Sequence, residues 1–188
     1  MNRLHHMIRF ACFIALLAFI APAEARAEKM YTAHTMWFEQ AERMYSINYK
    51  KGTRIPVGTE VTDVVVAGRG RRQHISFHIP EWGVTCMVYY QAKFHSNKPI
   101  NDIKDRMFSD QPAKEQLGKF SKNERESIEA GVVTKGMSKE AVLAAIGYPP
   151  EHRTPTIKIA TWIYWLDRFR TREVTFDDDG KTIADMPL

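Results

Sequence analysis

The sequence GVVTKGMSKEAVLAAIGYPPEHRTPTIKIATWIYWLDRFRTREVTFDDDG, residues 131–180, contains the strongest structural signals of the chain. Ser138 is a typical N-cap before an apolar helical stripe, and Gly147 followed by Pro149 predicts where that helix ends, because proline cannot continue a helix. The pattern then changes to strand-like alternation, and Asp179-Gly180 predicts a hairpin turn. Since so patterned a stretch contains almost no catalytic side chains, it favours binding over chemistry.

The flanking residues extend this pattern to a small domain. Ser121 and Glu124 have the spacing of a capping box, in which each side chain accepts a hydrogen bond from the other residue's backbone N–H. The helix that they begin should end at Gly131, which tolerates a left-handed C-cap. Residues 118–188 are therefore predicted to form two helices followed by three antiparallel strands, the third of them at residues 181–184.

The first half of the chain is predicted to be a β module. Short β-branched and aromatic runs, separated by Gly and Pro as in a small barrel or sandwich, recur at residues 44–49, 57–66, 75–79 and 84–92. The segment KKGTRIPVGT, residues 50–59, resembles the loop and strand of an SH3-like barrel. Residues 100–108 have near-helical apolar spacing and link the two parts. The prediction is an SH3-like module with its linker over residues 28–117 and a second domain over residues 118–188.

The first 27 residues have the order of a secretory signal peptide. Arg3 and Arg9 precede an apolar run that is shorter than the roughly 20 residues needed to span a bilayer, and an Ala-x-Ala site ends at Ala27. Cys12 lies too early in this run for a lipobox, so no lipid anchor is expected. We therefore predict cleavage after residue 27 and export across the inner membrane, to the periplasm and the periphery of the outer membrane, without a transmembrane span.

Composition limits the partners of the protein. The chain has 27 Lys and Arg residues against 22 Asp and Glu residues, a formal net charge of +5. This excess is too small to indicate a nucleic acid partner, and it is compatible with weak contact with anionic lipid headgroups. Only Cys86 follows the predicted cleavage site, so an internal disulfide is not expected and packing must provide the stability.

The sequence shows no convincing catalytic, metal-binding or cofactor-binding motif. His74 and His78 would be about 13 Å apart on a strand that rises about 3.3 Å per residue, too far to share a metal ion. Residues 177–180 lack the acidic spacing of an EF-hand, and residues 68–72 form a basic hairpin tip rather than a nucleotide loop. A hydrolase built on Cys86 is a third hypothesis, but its apolar strand favours a buried thiol. We predict that the protein is not an enzyme and needs no cofactor or metal.

A surplus of aromatic and arginine residues marks a candidate interaction surface in the second domain. Aromatic and Arg side chains contribute most of the binding energy at protein interfaces. Some of these aromatic residues are expected to fill the core, with Tyr164 or Trp165 at least partly exposed. The candidate surface consists of Tyr164, Trp165, Arg168, Phe169 and Arg170.

Five short motifs lie at a distinctive spacing in residues 121–184: Ile128-x-x-Gly131, Gly136-Met137-Ser138, Gly147-Tyr148-Pro149, Trp162-x-Tyr164 and Val174-x-Phe176. Together they resemble the BamE-like (SmpA/OmlA) family of periplasmic domains. The resemblance implies two helices packed on a three-stranded antiparallel sheet. It also implies a non-enzymatic scaffold or adaptor whose partners are envelope proteins, including outer-membrane assembly components. The same architecture occurs in secreted inhibitors, so the alternative is a soluble inhibitor or ligand-binding module that uses the sheet face.

Overall fold

The computed structural model describes residues 28–39 and 42–187, which form an α+β fold with four α-helices and ten β-strands. The predicted signal peptide, residues 1–27, lies outside the described residues. The helices are α1 (Ile100–Met107), α2 (Ala113–Leu117), α3 (Lys122–Ala130) and α4 (Lys139–Ile146). The strands are β1 (Met30–Thr32), β2 (Met36–Phe38), β3 (Arg43–Tyr45), β4 (Thr53–Ile55), β5 (Glu60–Ala67), β6 (His74–Ile79), β7 (Val84–Tyr89), β8 (Phe108–Ser109), β9 (Thr161–Trp165) and β10 (Thr171–Thr175).

Six strands of the first half form a curled sheet in the order β3-β7-β6-β5-β1-β8. β5, β6 and β7 are antiparallel neighbours, whereas β3 runs parallel to β7 with Tyr45 opposite Tyr89. β2 and β4 form an antiparallel pair of their own. The α+β class is therefore confirmed. The finer prediction of an SH3-like barrel is not confirmed and stays a prediction.

The helix ends follow local sequence signals closely. Ser121 accepts a hydrogen bond from the backbone N–H of Glu124, whose side chain accepts from the Ser121 N–H, and the predicted capping box of α3 is confirmed. Gly131 ends α3 with φ at 68°, in the left-handed region that favours glycine. Ser138 caps α4, which ends at Gly147 as predicted. The N-cap serines of both helices and the C-cap glycine of α3 thus stand at the helix ends that the sequence predicts.

The sheet of the second half is smaller than predicted. β9 and β10 pair antiparallel, but the third predicted strand, residues 181–184, is reduced to isolated bridges such as that between Phe176 and Thr182. The reason lies in its backbone hydrogen bonds. Its contact with β10 rests on two hydrogen bonds, from the Asp177 N–H to the Lys181 carbonyl at 2.8 Å and from the Ile183 N–H to the Thr175 carbonyl at 3.0 Å, on either side of the single Phe176–Thr182 bridge. On the side away from β10, Thr182 exchanges bonds with Gly136 and Met137 in the connection between α3 and α4, at 2.8 and 2.9 Å.

Two hydrophobic clusters form the core of the described residues. The first packs alternate residues of β6 and neighbouring strands against α1, in keeping with the predicted alternation and helical spacing. The second packs α3 and α4 against β9 and β10, and Trp37 and Val57 from the first half complete it. Leu117, at the predicted domain boundary, belongs to the second cluster. The boundary itself stays a prediction.

The C-terminal end of α4 is held by donors from the first half of the chain. The last carbonyl groups of a helix have no partner within the helix. Asn48 Nδ2 and Lys50 Nζ both donate to the carbonyl oxygen of Ile146, at 3.1 and 2.5 Å. The Tyr164 hydroxyl of β9 donates to the carbonyl oxygen of Gly147 at 3.0 Å. These contacts set the position of α4 and β9 relative to the first half.

Candidate interaction surface

The loop that joins β9 to β10, residues 166–170, is tied together by Asp167. Its Oδ1 accepts from the backbone N–H groups of Phe169 and Arg170, at 2.8 and 2.9 Å, and its Oδ2 accepts from Arg170 Nε at 2.6 Å. These bonds, led by that from the Phe169 N–H, lower the pKa of the Asp167 carboxyl. A carboxylate that satisfies three donors of one short loop keeps the loop in a single shape.

Phe169 lies at the tip of this loop and is 83 % exposed. The Arg168 guanidinium lies 5.3 Å from the centre of its ring, and Arg168 and Arg170 are themselves exposed. An exposed phenyl ring contributes little to folding, but it can bury most of its apolar area against a partner. Three of the five residues predicted from the sequence therefore meet on one loop, which we call the Phe169 loop.

The other two predicted residues lie elsewhere. Tyr164 is 1 % exposed and fills the core, which corrects its assignment to the surface. The physical reason is that the inward face of β9 meets the end of α4, where the Tyr164 hydroxyl finds the Gly147 carbonyl. Trp165 is half-buried on the outward face and stacks on His152 at 6.1 Å between ring centres.

A cleft of about 1000 Å³ opens beside the Phe169 loop. One wall contains Asp167 and Arg168, and the opposite side is formed by the first half of the chain, including Tyr45 and Tyr49. The rings of these two tyrosines meet edge to face at 5.5 Å. The cleft brings aromatic surface from the first half next to the predicted loop of the second half.

Both signs of charge line the cleft. Lys51 Nζ lies 3.2 Å from Glu39 Oε2, and the Arg43 guanidinium lies 5.9 Å from the Tyr89 ring centre. Burial and then the neighbouring Tyr45 phenol raise the pKa of Tyr49, so its hydroxyl stays a hydrogen-bond donor. A half-buried tyrosine surface with mixed charges is typical of protein recognition rather than of polyanion binding.

The sequence reasoning missed the contribution of the first half to this site. Tyr45 and Tyr49 were assigned to one alternating strand, but β3 ends at Tyr45 and a turn follows, which brings the two rings together. Two tyrosines four residues apart were the available signal. Their meeting with residues 167–168 depends on a contact between distant parts of the chain, for which the local pattern holds no information.

Two buried histidines lie between the halves. Burial lowers the pKa of His34 to about 3 and that of His95 to about 4. His95 Nε2 lies 2.8 Å from Ser46 Oγ, and the His34 ring lies against Gly147, where an added Cβ would come within 2.7 Å of its Nε2. Burial therefore keeps both rings neutral at neutral pH.

Lys50 is also buried at this junction, at 9 % exposure. Its ammonium lies 4.7 Å from the Trp37 ring centre and 5.4 Å from that of Tyr164. Burial lowers its pKa well below the usual range, while the Ile146 carbonyl and two aromatic faces stabilise the charged form. The lysine caps a helix end, so its chemistry serves the fold.

The remaining chemical candidate from the sequence is the Cys86 thiol. Cys86 is fully buried, and burial, followed by the charge of Glu42, raises the pKa of its thiol to about 12, so the thiolate does not form at neutral pH. Nowhere in the described chain do three His, Cys, Asp or Glu side chains converge as they would around a metal ion.

Within residues 28–39 and 42–187, no helix has the length and apolar character needed to cross a bilayer.

Comparisons of the chain with protein-family models, with curated proteins and with solved structures found no match.

Proposed function

We propose that the protein is a non-enzymatic scaffold or adaptor of the periplasm that binds an envelope protein through the Phe169 loop. The observation that carries this proposal is the 83 % exposure of Phe169 on a loop whose backbone N–H groups at Phe169 and Arg170 both donate to Asp167. A rigid loop pays little conformational entropy on binding, and an aromatic ring between two arginines is the composition of an interface hot spot.

Features of the sequence support the location and the partner class. Residues 1–27 have the pattern of a secretory signal peptide, and residues 121–184 resemble the BamE-like family. We accordingly propose an SH3-like module followed by a domain of two helices on a sheet, acting at the periphery of the outer membrane. Its partners would include outer-membrane assembly components, with weak anionic lipid contact as an accessory.

Site-specific crosslinking in intact cells tests this proposal. A photoreactive amino acid in place of Phe169 is expected to trap an envelope protein, whereas the same amino acid in place of Val65, which is 51 % exposed in β5, should not. Phe169→Ala should abolish co-purification of the trapped protein and leave the melting temperature unchanged. Equal crosslinking from both positions, or unchanged co-purification by Phe169→Ala, would refute the loop as the binding element.

The alternative is a soluble inhibitor or ligand-binding module that uses the outer sheet face. Ile183, 50 % exposed, supports it, because its N–H donates to the Thr175 carbonyl at 3.0 Å and so places an apolar side chain beside β10. This alternative predicts release by osmotic shock without detergent and binding to a soluble enzyme. Retention in the membrane fraction through a protein partner would exclude it.

A further inference from the structure

A second surface, separate from the Phe169 loop, is a groove of about 640 Å³ lined by residues of α1, α2, α4 and β8. Its floor is apolar, with buried side chains at the base and half-buried ones from α4: Val57, Phe108, Leu117, Phe120, Leu143 and Ala144. The volume lies within the range of about 300–1,000 Å³ typical of ligand pockets, which is room for a few inserted side chains.

The rim of this groove is acidic in a chain whose net charge is +5. Asp110, Glu115 and Glu140 are exposed along it, and no ion pair within the described part of the chain involves them. Two cations also line the groove: Arg106 has a carboxylate partner inside the protein, and Lys119 is exposed on the rim, where the carboxylates outnumber it. Arg106 Nη1 lies 2.9 Å from Glu151 Oε1, and Lys119 Nζ lies 5.1 Å from the Phe120 ring centre.

We infer that this groove binds a basic amphipathic segment of a partner protein, with apolar side chains on the floor and Lys or Arg side chains toward the rim. Carboxylates around a concave apolar surface concentrate negative potential there and attract a cationic partner. A wholly apolar occupant would desolvate the carboxylates without compensation, and an acidic one would be repelled. Amphipathic helices bind in this way, with one apolar face in a groove.

The groove shares no lining residue with the cleft beside the Phe169 loop. The inference therefore extends the proposed function without depending on it. A chain with two independent binding surfaces can hold two partners together, as an adaptor must.

The test measures binding of synthetic fluorescent peptides to the full chain by anisotropy. The probe is a helical peptide of Lys and Leu about 18 residues long, enough for five turns. Its two counterparts replace Lys by Glu or Leu by Ser. Both counterparts are expected to bind at least about tenfold more weakly, since each removes one of the two complementary features.

Paired variants locate the binding site. Glu115→Lys with Glu140→Lys reverses two rim charges at exposed positions and should weaken binding of the Lys/Leu peptide by at least about tenfold. Glu126→Lys with Glu129→Lys changes the net charge equally on exposed positions of α3 and should weaken it less than about threefold. Equal losses from the two pairs, or equal binding of the Glu/Leu peptide, would overturn the inference.

A competition experiment separates a partner segment from a segment of this chain. Residues 1–27 combine one apolar run with three arginines and end shortly before Met30, which lines the groove. A synthetic peptide of residues 1–27 should not displace the Lys/Leu peptide. Displacement that the Glu115→Lys and Glu140→Lys pair abolishes would identify this chain's own N-terminal segment as the occupant and overturn the partner proposal.

Discussion

Replacing Glu124 by Gln should destabilise the protein more than any other surface carboxylate substitution in α3. One carboxylate caps two helices: its Oε2 accepts from the N–H and the hydroxyl of Ser121, at 3.1 and 2.9 Å, and its Oε1 accepts from the N–H and the hydroxyl of Ser138, at 2.9 and 2.7 Å. The side chain therefore ties the N-termini of α3 and α4 together. Glutamine has one acceptor oxygen, so it can accept from the backbone N–H of only one of the two serines.

The pKa of Glu124 sets the size of the effect. Partial burial raises this pKa, but the bonds from Ser138 and Ser121 outweigh burial and lower it from 4.5 to about 2. At about 1.36 kcal/mol per pKa unit, the difference corresponds to at most about 3.4 kcal/mol of stabilisation of the charged form. Because the side chain is still 13 % exposed and water competes for it, we expect Glu124→Gln to cost about 2–3 kcal/mol.

Urea unfolding at neutral pH measures this cost, with Glu126→Gln as the control. Glu126 is 64 % exposed and lies 3.9 Å from Lys122, so its loss should cost less than about 0.5 kcal/mol. The folded-state pKa of Glu124 lies below its unfolded value, so its stabilisation is complete above pH 4.5 and is lost as the pH falls toward 2. The gap in unfolding free energy between the wild type and Glu124→Gln should thus shrink by more than about half at pH 3. Equal costs for the two variants, or a gap independent of pH, would refute the two-helix cap.

Two further predictions concern the buried groups between the halves. Lys50→Met should remove a rise in wild-type unfolding free energy as the pH increases toward 10.5, of up to about 1.4 kcal/mol per pH unit, because the folded-state pKa of Lys50 lies well below its unfolded value of 10.5 and deprotonation favours folding. Lys51→Met, 59 % exposed at the next position, should keep this rise, and a rise that survives in Lys50→Met would contradict the assignment. The unfolding free energy of the wild type should fall as the pH drops from 6.5 to about 4, because the unfolded chain binds a proton at His95 that the buried ring excludes. His95→Gln should reduce this pH dependence. His78→Gln, at a half-buried strand position, is the control in the same urea titration, and equal slopes in the two variants would disprove a role for His95 burial.

Local signals explain most of the correct predictions. A capping residue and its partner lie three positions apart, and a glycine C-cap needs only its own backbone angle, so α3 and α4 could be placed from sequence. The alternation of β6 and the spacing of α1 were equally local. The third predicted strand is reduced to one bridge with β10, and its other edge bonds to the connection before α4, a contact between distant residues that local alternation does not show.

The candidate surface, too, could be predicted from the sequence only in part. The sequence alone determined that residues 164–170 hold more aromatic and arginine side chains than a short hairpin needs, and where the helices around it begin and end. Only the tertiary structure decided which face of β9 is buried, because Tyr164 and Trp165 are both large aromatics on opposite faces. The end of α4, offering the Gly147 carbonyl beside the buried Lys50, selects Tyr164 for the core and leaves Phe169 at the tip of the loop. That selection depends on residues far apart in the chain, whose meeting has no local cause.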